Sequence, residues 1–526
     1  MEPLVPAPFQ TVPAVLDAAR QARPQASAVE DGDTVLTVAE LAERVDTAAR
    51  GLLALGLSHG DRVGVWAPNL WEWVVFALAV HRVGGVLVPI NTRYKGAEAA
   101  YILRRSGARV LATVQGFLGA DYVAQLEGEA LGDLAHRVVL RGEAPVGCLS
   151  WSDLSDSGQD VSPDAVLARQ AAVTADSLSD ILFTSGTTGH PKGVPTTHGQ
   201  TVQAFWDWSG IVGIDDRDRY LVVAPFFHCF GYKAGWLAAL MRGATILPQA
   251  TFDVDAVLRR VAPDRVSVLP GPPALYQTLL GRQDLTAHDL SSLRLAVTGA
   301  AVIPVGLIRD MKHTLGFDTV ITGYGLTEAS GVVTMCRASD DFDTIAGWSG
   351  RAIPGVEVRV VGADGAALAP GEPGEVVVRG YNVMSSYWEE ATETAGTLDA
   401  DGWLHTGDIG VMDPRGYLRI TDRLKDMYIV GGFNAYPAEI EQVLRGHPGI
   451  SDVAVIGVPD HRLGEVGMAW IVPSDAPLDA EHLTAWCRAR MANFKVPRRV
   501  EHLDALPRNA LGKVRKVDLR ARAQEA

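Results

Sequence analysis

Up to about residue 400, short apolar runs of strand length alternate with stretches of helical periodicity. This alternation predicts an α/β chain with mostly parallel sheets. Several runs share one form, a strand that stops at a Gly-rich or polar turn. Arg219 to Val223 leads into APFFH, Val266 to Leu269 into PGPP, Leu293 to Val297 into TGAA, and Thr319 to Thr322 into GYGLTE. In open α/β sheets ligands collect beyond the carboxyl ends of strands, so these turns are expected to converge on one crevice. Asn69 and Glu72 have the spacing of a capping box and predict an amphipathic helix through about Val80.

From about Val358 the pattern turns β-rich, with turns such as Asp364-Gly365 and Pro414-Arg415-Gly416. A last unit begins near Asp422. Its pattern predicts a helix from Pro437 to Leu444 and strands at Val453 to Val458 and Met468 to Val472. A helix from Ala480 to about Met491 follows, then a polar tail carrying Lys513. The chain's 526 residues exceed what one hydrophobic core usually serves. The expected organisation is a large N-terminal domain over residues 1–421, of several subdomains, and a small α+β domain over 422–526.

Composition narrows the function classes. A formal charge of −15 argues against a sequence-blind nucleic-acid binder, which needs a basic face. Cys148, Cys229, Cys336 and Cys487 are far apart and lack metal-ligand spacing, so free thiols in a reducing cytoplasm are expected. The most apolar long segment, Trp73 to Ile90, is broken by His81-Arg82 and Gly84-Gly85, which excludes a membrane span there. The opening residues carry Pro and Glu rather than a secretory pattern.

Phe183 to Gly193 reads FTSGTTGHPKG and packs three glycines, four hydroxyl side chains and one lysine behind the apolar step Ile181-Leu182. Backbone N–H groups in such a loop can approach an anion closely, and the hydroxyls add donors. Lys192 supplies a positive charge suited to a triphosphate. The pattern is not a Walker A loop, since Gly512-Lys513 is followed by Val514.

This run resembles the phosphate loop of the adenylate-forming enzymes, which comprise acyl- and aryl-CoA synthetases, firefly luciferase and peptide-synthetase adenylation domains. Further stretches follow in that family's order: APFFHCFG at 224–231, TGAA at 298–301, GYGLTE at 323–328 and GEVVVRG at 374–380, then HTGD at 405–408, DRLKDMYIVGGFNAYPAEIE at 422–441 and PRNALGK at 507–513. The resemblance implies an ATP-dependent carboxylate–thiol ligase, mobile C-terminal domain included. It forms an acyl-adenylate with release of pyrophosphate, and a thiolate then displaces AMP.

It also implies roles for single residues. Thr184, Ser185, Gly186, Thr187, Thr188, Gly189 and Lys192 hold the β- and γ-phosphates. Glu328 is the Mg²⁺-associated carboxylate, with Thr327 near the α-phosphate. Tyr324 packs on adenine, the backbone of Gly299, Ala300 and Ala301 lines the base, their small side chains leaving room for it, and Gly325 is a further nucleotide-binding residue. Asp408 accepts from the ribose hydroxyls, and Arg423 helps hold the sugar. Lys513 bridges the substrate carboxylate and the α-phosphate, Lys425 is the hinge, and Gly431-Gly432 let the CoA arm pass. His228 gates between acyl pocket and thiol tunnel. Taken alone, Lys425 and Lys513 read equally as solvated charges and Asp408 as a turn former.

Peptide-synthetase domains pair the amino acid's ammonium with an aspartate near 227–229, but no Asp or Glu lies between Pro225 and Trp236. Amino-acid substrates are therefore disfavoured, and with no fused carrier domain recognised a diffusible thiol such as CoA is expected. Phe227, His228, Tyr232, Lys233, Trp236, Gly299 and Gly325 are candidates for the acyl pocket. Lys233 either meets a polar group of the acid or snorkels to the surface. The runs PFFH, FGYKAG, LPGPP and DMYIVGGFNAYPAE most resemble CoA ligases of actinobacterial steroid breakdown, which act on a bicyclic indane-dione propanoate, although Ala224 stands where Asn is expected. A carrier-loading acyl-AMP ligase and a non-catalytic nucleotide-binding protein are the alternatives. A small carboxylic acid, ATP and CoA are the expected partners, with a homodimer allowed.

Overall fold

The computed structural model describes residues 2–185, 190–299, 303, 305–362, 364–423, 427–474, 478–507, 514 and 516–525. The chain divides into two units, one of residues 1–92, 100–183 and 193–421, the other of residues 93–99, 184–192 and 422–526.

In the larger unit an eight-stranded sheet runs in the order Pro191–Thr197, Leu178–Ser185, Val86–Pro89, Arg62–Trp66, Ala108–Phe117, His136–Arg141, Leu149–Ser150, with Ala120–Asp121 beside Ala108–Phe117. Its central pairings are parallel. Val86–Pro89 is buried at every residue, as a parallel strand covered on both faces must be. A second set of strands begins with Arg219–Val222, parallel to Thr245–Pro248. Single bridges through Val268 connect Tyr220 to Leu295, and Leu295–Gly299 pairs in parallel with Thr319–Tyr324. The expected run Val266 to Leu269 thus sits between the two pairs of strands, with Leu221 N–H donating to Val268 O and Leu269 N–H to Leu295 O, each at 3.0 Å. The β-rich region forms an antiparallel sheet of Val356–Val361, Gly374–Gly380, Leu404–Met412 and Leu418–Arg423.

The helix expected after Asn69 spans Trp71–Arg82 and differs in character from the prediction. Every one of its residues is buried, so it is a core helix and not an amphipathic one. Leu70 is its N-cap, with no side-chain cap bond. Glu72 instead takes Arg141, whose Nη2 lies 2.6 Å from Oε2. Asn69 serves a distant loop, described below.

In the smaller unit a sheet of Phe433–Ala435, Tyr428–Val430, Gly464–Pro473 and Ile450–Asp460 carries Arg499–His502 parallel to Gly464–Pro473. The central strands read as continuous apolar runs because both faces are covered. Val453, Val455, Ala469 and Ile471 pack with Ile440, Leu444 and Leu483. Ala454, Ile456, Met468 and Trp470 pack with Leu506 and Leu519 on the other face. Among the described residues no helix is long and apolar enough to cross a membrane.

Ile471 is fully buried in the first of these clusters. Ile471→Ala should cost about 2–5 kcal/mol, whereas Val146→Ser at a fully exposed position should stay within about 0.5 kcal/mol. Denaturant unfolding followed by tryptophan fluorescence measures both. An unchanged midpoint for Ile471→Ala would contradict this core.

Candidate active site

Parallel pairing in the register Thr298↔Thr322 and Gly299↔Gly323 brings the ends of two motif-bearing strands to one edge. The glycines there answer to the backbone. A Cβ on Gly299 would lie 3.1 Å from Gly323 O, and one on Gly325 would lie 2.2 Å from Gly331 O. At Gly325 the neighbouring main chain leaves no room for a side chain, and at Gly299 it leaves little. Ala300 and Ala301 lie outside the described residues.

After Tyr324 the chain reverses through the short helix Thr327–Ala329, and Val333 N–H returns to Tyr324 O at 2.9 Å. This turn places Tyr324 against Asp408, its hydroxyl donating to Oδ2 at 2.6 Å. Asp408 is buried within the strand Leu404–Met412. A register irregularity opposite Glu375 shapes the HTGD run. Glu375 receives Gly407 N–H at 3.2 Å and meets His405 Nδ1 at 2.9 Å, while Thr406 Oγ1 receives Asp408 N–H at 3.1 Å. The two residues assigned by resemblance to the base and the sugar of one nucleotide are thus in contact.

Glu328 is braced by residues that the motif reading passed over. Tyr387 donates to its Oε1 at 2.9 Å, and Met384 N–H donates to its main-chain oxygen at 2.8 Å. Burial first, and the Glu328 charge second, hold the Tyr387 phenol well above the ordinary tyrosine range, so it remains a donor. Asn382, fully buried, donates to Val332 O at 2.7 Å and Ala329 O at 3.3 Å. Trp388 N–H donates to Gly193 O at 2.8 Å. One segment, 382–388, therefore supports both the GYGLTE turn and the residue that closes the Gly-rich run. The signal was available in the sequence: YNVMSSYW continues directly from GEVVVRG with amide and aromatic groups that need partners when buried.

The APFFHCFG segment is folded tightly on itself. His228 N-caps the short helix Cys229–Gly231, and its Nδ1 accepts from Phe230 N–H at 3.2 Å, which leaves the proton of a neutral ring on Nε2. A Cβ on Gly231 would fall 2.2 Å from Pro225 O. Asn69 clamps the loop from outside, donating to Val222 O at 3.0 Å and Ala224 O at 2.9 Å and accepting from Phe226 N–H at 2.7 Å. Phe227 is half-buried and His228 exposed.

Tyr232 and Trp236 are fully buried and stacked, with centroids 5.2 Å apart, in an aromatic core with Trp73. Lys233 meets neither expectation for it. Its Nζ lies 2.9 Å from Asp180 Oδ1 with both side chains fully buried. The ammonium stays inside because a matching carboxylate is built there.

Thr184 stands on Leu178–Ser185, and Lys192 is buried on Pro191–Thr197. Gly431 and Gly432 have φ of 55° and 87° and form the two-residue turn between Tyr428–Val430 and Phe433–Ala435. Such hairpins require positive φ at both central residues. Gly186, Thr187, Thr188, Gly189, Lys425 and Lys513 lie outside the described residues, as do the side chains of Ser185 and Arg423.

The family described as AMP-binding enzyme matches residues 16–388, and its C-terminal domain matches residues 439–513. A Mycobacterium tuberculosis protein named 3-[(3aS,4S,7aS)-7a-methyl-1,5-dioxo-octahydro-1H-inden-4-yl]propanoyl:CoA ligase is 50% identical over 97% of this chain and 99% of its own length. The Rhodococcus jostii protein of the same name is 48% identical over 97% and 98%. Among solved structures, Bacillus subtilis o-succinylbenzoate CoA synthetase bound with a product analogue superposes with a TM-score of 0.81 at 28% identity, covering 96% of this chain and 98% of that one.

Asn69→Ala would leave the Phe226 N–H without its partner and remove donors from two carbonyls, at a cost of about 1–3 kcal/mol for each buried group left unsatisfied. A lowered thermal midpoint is expected; an unchanged one would show that the clamp carries no stability. The buried imidazoles set the acid side of stability. Burial holds His198 down to about 3 from 6.5, and burial also holds His81 well below its ordinary value. The unfolded chain therefore binds protons that the folded chain refuses. Stability is fully present above about pH 6.5 and should fall by about 1.4 kcal/mol per pH unit for His198 as pH drops towards 3, with His81 adding a loss of the same sign. Urea midpoints between pH 7 and 5 measure this, and His198→Asn should flatten the slope.

Proposed function

The chain belongs to the AMP-binding enzyme family, and on that premise we propose that it is an ATP-dependent carboxylate–CoA ligase whose acid is a bicyclic indane-dione propanoate. The observation that carries the substrate is 50% identity across nearly the whole length of both chains to a ligase named for that acid. The contact of Tyr324 with Asp408, and the bracing of Glu328 by Tyr387, support the nucleotide half of the reading.

A carboxylate is a poor electrophile. Its oxygen attacks the α-phosphorus of ATP, the bond to pyrophosphate breaks, and an acyl-adenylate results; the CoA thiolate then attacks the acyl carbon and AMP leaves. Bringing an anion to a triphosphate demands neutralisation and orientation above all. In this reading Thr184, Ser185, Gly186, Thr187, Thr188, Gly189 and Lys192 hold the terminal phosphates, and Thr327 lies at the α-phosphate. Tyr324 stacks on the base, while Asp408 and Arg423 hold the ribose. Lys513 contributes a point charge on a flexible stem to the oxygens that gain charge. Lys425 is the hinge on which the small domain turns between half-reactions. His228 gates the thiol path and Gly431-Gly432 border it.

Glu328 fits a magnesium site of the kind that uses one protein carboxylate with substrate phosphates. Tyr387 orients its Oε1, and among the described residues no group of three or more His, Cys, Asp or Glu forms a protein-only cage. The ion supplies charge neutralisation at the phosphates when bound.

ATP, Mg²⁺, CoA and a panel of linear, aryl and bicyclic acids should give the CoA ester of the bicyclic propanoate, detected by mass spectrometry. Lys513→Ala should lower acyl-adenylate formation by about 10²–10³. AMP and acyl-adenylate without a CoA ester would indicate a carrier-protein thiol. No turnover on any acid would overturn the ligase reading.

A further inference from the structure

The strand that runs into the Gly-rich loop carries a carboxylate with no accessible surface. Asp180 and Lys233 form an ion pair at 2.9 Å with both side chains fully buried. Asp180 is further fixed through its other oxygen, which receives Ser179 Oγ at 2.6 Å, and Ser179 Oγ is itself 3.0 Å from Thr201 Oγ1. Lys233 lies in a π-helical turn, Tyr232–Leu237, where Gly235 departs from helical geometry at φ −85° and ψ −105°. Its neighbour Tyr232 meets His81 Nε2 at 2.8 Å. His228 is joined to the same turn by its own carbonyl, which accepts from Gly231 N–H at 3.0 Å and Tyr232 N–H at 2.9 Å.

A π-helical turn is an uncommon register that recurs at functional sites. An apolar pair of equal volume would fill this space as stably as an ion pair, but it would not penalise a slip of register. A buried ammonium separated from its carboxylate is penalised heavily, so the pair selects one register. We propose that Asp180 and Lys233 are positioning residues for the ligase reaction. They fix the turn Tyr232–Leu237, to which His228 is joined, against the strand segment around Asp180, and so set where the acyl group meets the thiol. Neither touches a reactant. The inference rests on the ligase reading above.

The test uses the full-length protein and separates the two half-reactions. Acyl-adenylate formation is followed by pyrophosphate release, and transfer by CoA ester formed from preformed acyl-adenylate. Asp180→Asn/Lys233→Met removes both charges together and leaves no unpaired ion. Transfer should fall by about ten- to hundredfold, the scale of a remote misplacement. Adenylation should stay within about threefold and the unfolding midpoint should be nearly that of the parent. Asp180→Asn/Lys233→Gln, which restores a neutral hydrogen bond across the gap, should recover part of the transfer rate. Transfer at the parental rate in Asp180→Asn/Lys233→Met would overturn the proposal. So would an equal fall of both half-reactions, or failure of both variants to fold, since the pair would then serve stability alone. Failure of the parent itself to make any CoA ester would instead sink the ligase reading.

Discussion

A lysine ammonium can remain in a dry interior only with a counter-charge beside it, and this constraint organises the centre of the larger unit. Truncating one member of such a pair typically costs about 3–5 kcal/mol, because the other charge is left uncompensated. Around Asp180 and Lys233 the polar partners come from separate elements. Ser179 shares the strand, Thr201 stands on His198–Val212, and His81 reaches Tyr232 from Trp71–Arg82. Burial, together with the nearby Lys233 charge among other causes, keeps His81 and His198 below their ordinary pKa, which limits the positive charge gathered there. Helix, strand and π-helical turn are thus held by a few directional contacts within an apolar surround.

The edge formed by Leu295–Gly299 and the GYGLTE turn is built by a different means. There the main chain itself is crowded, and glycines are placed where adjacent strands or turns leave no room for a Cβ. Asn382 and Tyr387 then tie the GYGLTE turn to the segment after Gly374–Gly380. A rigid cradle suits adenylation, where charge must be met by groups that need not reorganise. The Pro225–Leu237 segment, with its short helix, π-helical turn and external clamp at Asn69, depends instead on a few polar side chains.

The sequence by itself determined the α/β class, the order of the motif-bearing turns and the family, because these rest on local pattern: strand-length apolar runs, turn chemistry and glycine placement. It assigned Tyr324 and Asp408 to one nucleotide through their motifs, and the fold brings the two side chains into contact. Asn69 was misread as a helix cap because its spacing to Glu72 is local, whereas its partners Val222, Ala224 and Phe226 are not. Lys233 was assigned to pocket or surface for the same reason, as no pattern near it announces Asp180. Tyr387 and Asn382 went unnoticed because their targets lie in another motif. Only the tertiary structure decided these partners. The identity of a buried polar residue states that it needs a partner, but which residue supplies that partner is fixed by where the chain returns in space.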